Sequence, residues 1–513
     1  MAAEADHIPL APARPNRRAL ILPGGGMRVA YQAGAIKALF DQGLRFSIAD
    51  GASGGTMNLA ALLCGATPDQ LCARWRSLNV MRFVSLRPLS AYLKFPATGA
   101  LGGFDGIESS VFPHLGIDAS QVRQAKGISA TFNVCDFEDK RVVAVPHTEV
   151  SRELLLAGIS LPIATPAVQY QGRMWTDAVW IRDSNLMATV RAGANELWVI
   201  WCIANTPKFK DSLLGQYVHM IEMSALGKLH EELDAIADIN QRIAKGEKPF
   251  GHDKPIVVHL IKPAMPIPLD PDFLVGKVDA ATLIAYGHAD AARYLAAMKP
   301  NGVSLTSAAT KMIEPGQGIS FREVMTGRIC FGEIDPEKGS ANLAAYPVSL
   351  RGTIDIRDLR SFAQNPQHQG ELAGHLEIHR LGGWFPSTGG RFGLFSPSGD
   401  PQLSYMTYEM GVRVADKAYW LKGRKHVRVA GPWKAWAATT TLYVTLHEGI
   451  DDTGPIAAAG ILRLGAPELM ALLGTLHATG CERWPDKIKS IWQFARFFAG
   501  ALYQTYIAGR PLS

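Results

Sequence analysis

Two short glycine-rich runs near the start of the chain carry residues able to do chemistry: Gly24-Gly25-Gly26-Met27-Arg28 and Gly51-Ala52-Ser53-Gly54-Gly55. Three consecutive glycines have no Cβ, so their N–H groups can converge on one point at the start of a helix. Such a nest stabilises an anion, either a phosphate or the oxyanion of an acyl-transfer intermediate. The dinucleotide fingerprint fits poorly, because Val29 stands at its sixth position, and no Gly-Lys-Ser/Thr follows as a P-loop requires. The second run has the G-x-S-x-G form of a nucleophile elbow, a sharp turn that projects Ser53 from the end of a strand. The N–H of Gly54 would then point to the same place as the nest. A serine needs a base. One candidate is Asp177, which follows the proline-punctuated stretch AGISLPIATPAVQYQG and sits among small or apolar neighbours. A dry site would raise the basicity of that carboxylate. The other is a histidine of a Ser-His-Asp triad, with His147, His230, His259 and His288 all downstream. Against the triad, only one clear strand precedes the elbow, whereas an α/β-hydrolase places several before it.

The elements that must position these residues alternate. ALILPGG and RFSIADGASGG read as buried strands, each followed by a helix (VAYQAGAIKALFDQG, TMNLAALLCGA). ISATFNVCDF, ELWVIWCIA and PIVVHLIKP continue the pattern, which predicts a mostly parallel sheet covered by helices on both faces. Neighbouring parallel strands would bring Gly25, Gly26 and Ser53 to one sheet edge. Residues 299–320 turn polar and rich in Gly and Pro, and are expected to be a linker. Beyond them, alternating β-branched and aromatic runs such as VSLRGTIDIRDL, LSYMTYEMGVRV and TTTLYVTLHEG predict an antiparallel sandwich or barrel, closed by a helical tail. The expected domains are a flexible segment 1–16, a hydrolase domain 17–298, the linker, and a β-rich accessory domain 321–513 with a C-terminal helix.

The glycine run Gly24 to Arg28, the elbow Gly51 to Gly55 and the late aspartate Asp177 together resemble the patatin-like phospholipase family over roughly residues 17–295. The segment SLPIATPAVQYQGRMWTDA is similar to the family's approach to its D-G-A/G motif. The resemblance implies a three-layer α/β/α sandwich and a Ser–Asp dyad. Ser53 would be the nucleophile and Asp177 the proton acceptor, with the backbone of Gly25, Gly26 and Gly54 and the side chain of Arg28 at the oxyanion hole. It implies hydrolysis of lipid carboxylic esters without metal or cofactor. Two departures stand out: Ala178-Val179 follow the aspartate where a glycine is usual, and Val29 replaces the glycine that ends the oxyanion motif. They leave open a catalytically weak lipid-binding protein on the same scaffold, beside the triad esterase. The C-terminal runs resemble an accessory module found beside some sterol-oxidase-like flavoproteins of the glucose–methanol–choline class.

Composition bounds the rest. The chain has 513 residues, 47% hydrophobic and 19% charged, which excludes wholesale disorder, and a net charge of +6 gives no reason to expect a nucleic-acid partner. Six widely spaced cysteines without a C-x-x-C pair predict reduced thiols. The N-terminus lacks a signal-like apolar region and no run is long enough to span a bilayer, so the expectation is a cytoplasmic protein with peripheral membrane contact. Two stretches could make that contact: Arg74-Trp75-Arg76 through Phe95, which reads also as a core-packed helix and loop with snorkelling arginines, and the aromatic tail from Ile491 to Tyr506, which is expected to dock on the β domain.

Overall fold

A computed structural model of the chain describes residues 17–83, 85, 100–203, 209–268, 276–414, 417–481 and 483–511. The expected flexible segment 1–16 lies outside the described residues. The chain divides into two compact units, residues 1–313 and 314–513.

The first unit is built on an eight-stranded sheet. Its strands are β1 (Arg18–Leu22), β2 (Ile48–Ala52), β3 (Ser129–Asp136), β4 (Arg141–Pro146), β5 (Val168–Tyr170), β6 (Arg173–Asp177), β7 (Glu196–Ile200) and β8 (Val257–Ile261). They lie in the order β5-β6-β3-β2-β1-β7-β8, with β4 also paired to β3. From β3 to β8 the neighbours are parallel, while β4 and β6 run antiparallel to β3. Strands β2 and β7 are buried along their whole length, as a parallel sheet covered on both faces requires.

Six helices matter to the site: α1 (Ala30–Asp41), α2 (Gly55–Leu63), α3 (Pro68–Ser77), α4 (Leu186–Arg191), α5 (Leu213–Ala244) and α6 (Ala280–Ala296). On one face Ile21, Val199 and Leu260 share a core with Leu186 and Val190 of α4 and with Leu229, Leu233 and Ile236 of α5. On the other, Tyr294 of α6 packs edge-on against Trp198 and His259. There α1 and α6 meet backbone to backbone. A methyl group on Gly34 would collide with the Ile284 carbonyl, and one on Gly287 with the Tyr31 carbonyl. The arrangement is the expected three-layer sandwich.

The boundary between the two units falls within residues 299–320: Val303, Leu305, Ala309 and Met312 pack against the first unit's core, and Gly318 opens the first strand of the second unit. The few apolar side chains in that polar stretch decide its placement, together with hydrogen bonds from Val303 N–H to Val258 O and from Ile313 N–H to Ala264 O, both 2.8 Å. Within the described part of the Arg74–Phe95 stripe, Met81 and Arg82 are exposed, but its tryptophan is core-packed, the alternative the sequence also offered. Trp75 is fully buried and donates from Nε1 to Asn58 Oδ1 at 2.7 Å, and Phe83 stacks on it. Arg87 and residues 92–95 lie outside the described residues.

The second unit is a closed barrel of eight antiparallel strands: β9 (Gly318–Phe331), β10 (Tyr346–Ile356), β11 (Gln369–Ile378), β12 (Gly383–Pro397), β13 (Leu403–Val414), β14 (Lys417–Arg428), β15 (Thr441–Glu448) and β16 (Ile456–Arg463). Each pairs with its successor, and β16 returns to β9. That last pairing makes a barrel of what the sequence left as sandwich or barrel. A short β17 (His477–Thr479) extends the start of β9. Met325, Leu350, Met410, Leu421 and Val444 form the core, and helix α7 (Trp484–Tyr506) lays Phe494, Phe497 and Phe498 against it. In this core Lys425 and Glu323 form a buried ion pair at 2.6 Å, and the Tyr408 hydroxyl donates to the same carboxylate at 2.6 Å. All six cysteines are free.

Candidate active site

Strand register brings three distant segments to one level. Leu22 of β1 pairs with Gly51 of β2, Ala52 of β2 with Asn133 of β3, and Val134 of β3 with Asp177 of β6. The glycine run, the elbow and the aspartate therefore leave the sheet side by side.

Ser53 holds φ at +47°, a left-handed conformation that costs a non-glycine residue energy and turns its side chain out of the strand. The flanking glycines are required by space. A methyl group on Gly55 would collide with the Leu22 carbonyl, and one on Gly54 would lie 2.7 Å from Gly26 O and 2.8 Å from Val29 Cγ1. In the glycine run, Gly25 and Gly26 take φ of +148° and +59°. A Cβ on Gly24 would sit 2.8 Å from Ser53 Oγ and 2.6 Å from Asp183 Oδ1. Arg28 is buried, and its Nε donates to Gly25 O at 3.0 Å while Nη1 finds no acceptor among the described residues.

A buried polar scaffold fixes this loop. Gln32 Nε2 donates to Pro23 O at 2.6 Å, Asn58 Nδ2 donates to Gln32 Oε1 at 3.0 Å and to Val29 O at 2.9 Å, and Trp75 donates to Asn58. Behind the loop, Cys202 Sγ donates to Gly24 O at 3.2 Å.

Asp177 is fully buried. Its N–H donates to Ser160 O at 2.9 Å, and its Oδ1 accepts from Val179 N–H at 2.8 Å. Burial pushes its carboxyl well above the ordinary range, and the neighbouring Asp183 pushes it further. The Ser53 hydroxyl and the Val179 N–H pull it partly back. Oδ2 has no partner of regular hydrogen-bond geometry among the described residues. Catalytic hydrogen bonds are often long in unliganded sites and tighten around substrate.

Two further buried carboxyls stand close by, and neither is signalled by the motifs. Asp183 accepts from Gly24 N–H at 2.8 Å, and burial raises it to about 7 against the opposing pull of that N–H and of Arg28. Asp50 accepts from Thr131 Oγ1 at 2.6 Å and Asn133 Nδ2 at 2.8 Å, and burial raises it to about 6. Asp183 was legible only as one polar residue in the loop Arg182-Asp183-Ser184-Asn185. Its spacing from Asp177 would have been the one available clue.

Of the two substitutions that looked damaging, one points into the core and the other packs against the elbow. Val179 belongs to the core shared with Leu186 and Val190, so its branched side chain adds no bulk beside Asp177. Val29 is buried at the start of α1, filling the space beside Gly54. The described histidines of this unit are engaged elsewhere. His114 bonds to Arg74 O, His147 to the backbone of Ala125 and Ala130, His219 accepts from Lys210 N–H, His230 bonds to Thr310, His252 to Val190 O, His259 to Tyr294, and His288 lies against Asp41. None of these contacts involves Ser53 or Asp177.

Comparison with known proteins agrees in part. No curated protein sequence matches the chain. Among solved structures, the crystal structure of VipD from Legionella pneumophila is similar at 11% identity, covering 56% of this chain and 67% of that one, with a TM-score of 0.29. A family model described as patatin-like phospholipase matches residues 20–190, a span that holds the glycine run, the elbow serine and both buried aspartates beyond it. Over residues 20–190, about a third of its length, the chain is similar to patatin-like phospholipases.

Proposed function

We propose that the chain is a serine acyl hydrolase that cleaves carboxylic ester bonds of lipids with Ser53 as nucleophile and Asp177 as its base. One observation carries this reading: a serine strained onto an elbow bears on a fully buried aspartate whose basicity is raised by its surroundings. In the proposed first step Asp177 takes the Ser53 proton as Oγ attacks the ester carbonyl. Negative charge then develops on the carbonyl oxygen, and the N–H groups of Gly25, Gly26 and Gly54, with the Arg28 guanidinium behind them, receive it. Collapse releases the alcohol, which leaves with the proton. Water activated by the same aspartate hydrolyses the acyl-enzyme.

The roles of Arg28 and Asp183 follow from their bonds. Both hold the glycine run, Arg28 through Gly25 O and Asp183 through Gly24 N–H. The test is direct. Ser53→Ala protein should keep its melting temperature within a few degrees, lose turnover of lipid and short-chain esters, and fail to label with a fluorophosphonate. Undiminished turnover in that variant removes Ser53 from the mechanism. Turnover lost only on replacing a histidine restores the triad.

A further inference from the structure

We infer that one end of the C-terminal barrel is a docking face for an anionic lipid bilayer. In a barrel of consecutive antiparallel strands, alternate connections emerge at the same end. Residues 357–368, 398–402 and 429–440, and the whole chain after β16, share the end at which β9 begins. That end is unusually apolar and aromatic on its outside. Trp433 and Trp436 in the β14–β15 connection are 79% and 51% exposed, and α7 exposes Trp484, Ile488, Trp492 and Tyr503 at 72%, 50%, 59% and 57%. Residues 484, 488 and 492 follow one another at four-residue spacing, so they form one stripe along the helix. Helix α7 therefore has two apolar faces: Phe494 and Phe498 meet the barrel core, and the tryptophan stripe meets solvent. A helix that only capped the barrel would need the first face alone.

Charge selects the partner. Helix α7 carries Lys487, Lys489 and Arg496 against a single acidic residue, Asp486, which pairs with Arg483 at 3.1 Å. Lys434 stands between the two exposed tryptophans of the connection. None of Lys434, Lys487 and Lys489 forms an ion pair among the described residues, and Arg496 lies over the Trp492 ring at 5.4 Å. Tryptophan and tyrosine set among lysine and arginine match the headgroup layer of a bilayer, where the rings sit at the boundary and the cations face anionic phosphates. No helix among the described residues is long and apolar enough to cross a membrane, and α7 with its four charges lies on the surface. A groove of about 990 Å³ opens beside Trp492 and Arg496, with Phe395, Leu403 and Phe497 among its lining residues.

The test uses the full chain and two kinds of vesicle, phosphatidylcholine alone and phosphatidylcholine with about a third phosphatidylserine. The protein should sediment with the anionic vesicles, at least tenfold more tightly than with the neutral ones, and less so as salt rises. A Lys434→Glu, Lys487→Glu, Lys489→Glu variant should lose association on the order of a hundredfold, and Trp433→Ala with Trp492→Ala should lose at least tenfold. Both variants should keep the melting temperature and the turnover of a soluble short-chain ester. Ser53→Ala protein should bind vesicles like wild type, so that failure of the catalytic proposal and failure of this one are distinguishable. Equal binding to neutral vesicles, no binding to either, or binding indifferent to both variants overturns the inference. A self-associated chain dispersed by the same substitutions, with no vesicle binding, assigns the face to a protein partner and overturns it too.

Discussion

Replacing Gly24 by alanine tests the site's geometry without touching any group proposed to react. The added methyl carbon would stand 2.8 Å from Ser53 Oγ and 2.6 Å from Asp183 Oδ1, where ordinary contact begins at 3.4 Å. The closest contact is with Ser53 Cβ at 2.4 Å, so relief requires Ser53 itself to move by about 1.0 Å and the Asp183 carboxylate by about 0.8 Å, or the whole loop to lift. Gly24 itself has no positive φ, so the backbone accepts alanine and the conflict is confined to the pocket. A misplacement near 1 Å costs about a hundredfold in rate, so a loss of ten- to a hundredfold is expected here, about 1.4 to 2.7 kcal/mol in the barrier. The assay is kcat/KM on a chromogenic short-chain ester, read beside the melting temperature and fluorophosphonate labelling. Wild-type turnover by a folded Gly24→Ala protein would show that Ser53 reacts from a position other than the one held here, and the reasoning from this pocket would fail.

The buried carboxyls make further predictions. Because burial and Asp183 raise Asp177, the acid limb of kcat/KM should lie well above the ordinary carboxylate range, and Asp183→Asn should move that limb to lower pH. A limb unmoved by Asp183→Asn would mean that the two carboxyls do not interact. Asp183 is raised from 3.8 to about 7 in the folded chain, so its contribution to stability is full below pH 4 and is lost as pH climbs through 7. Relative to wild type, Asp183→Asn should therefore gain on the order of 2–3 kcal/mol between pH 5 and pH 8. Denaturation curves showing the same difference at both pH values contradict this. In the barrel, Glu323→Ala leaves the Lys425 ammonium buried without its partner and should cost about 3–5 kcal/mol, whereas replacing both residues by apolar ones should cost far less.

Ser53 and its glycines were legible because the chemistry proposed for them depends on backbone conformation, and few residue types tolerate it. At Ser53 and at Gly25 and Gly26 the positive φ values are what the motif demands. The alternation in β13, whose inward Met406, Tyr408, Met410 and Val412 are all buried, likewise announced a strand. What escaped depends on contacts between distant segments. The return of β16 to β9 joins residues far apart in sequence, such as Cys330 and Ala459, 129 positions apart, and no local pattern separates that barrel from a sandwich. Asp183 looked like a loop residue because its partner, the N–H of Gly24, lies 159 positions away. Trp75 was left between two readings for the same reason: an arginine on either side suits an interface as well as a core-packed helix, and only the distant partners show that its indole closes the chain of bonds that ends at Pro23.

The crossing of Gly34 with Gly287 gives a helix near the end of the first unit a hold on chemistry at its beginning. Each glycine leaves a gap that the other helix's carbonyl fills, so the two rods cannot slip or roll without steric conflict. Gln32, which grips Pro23, rides on one of those rods two residues before the crossing. An ordinary side chain at position 287 would therefore act as a wedge, tilting a lever whose far end is the glycine run, and would lower the proposed turnover without altering any group inside the pocket.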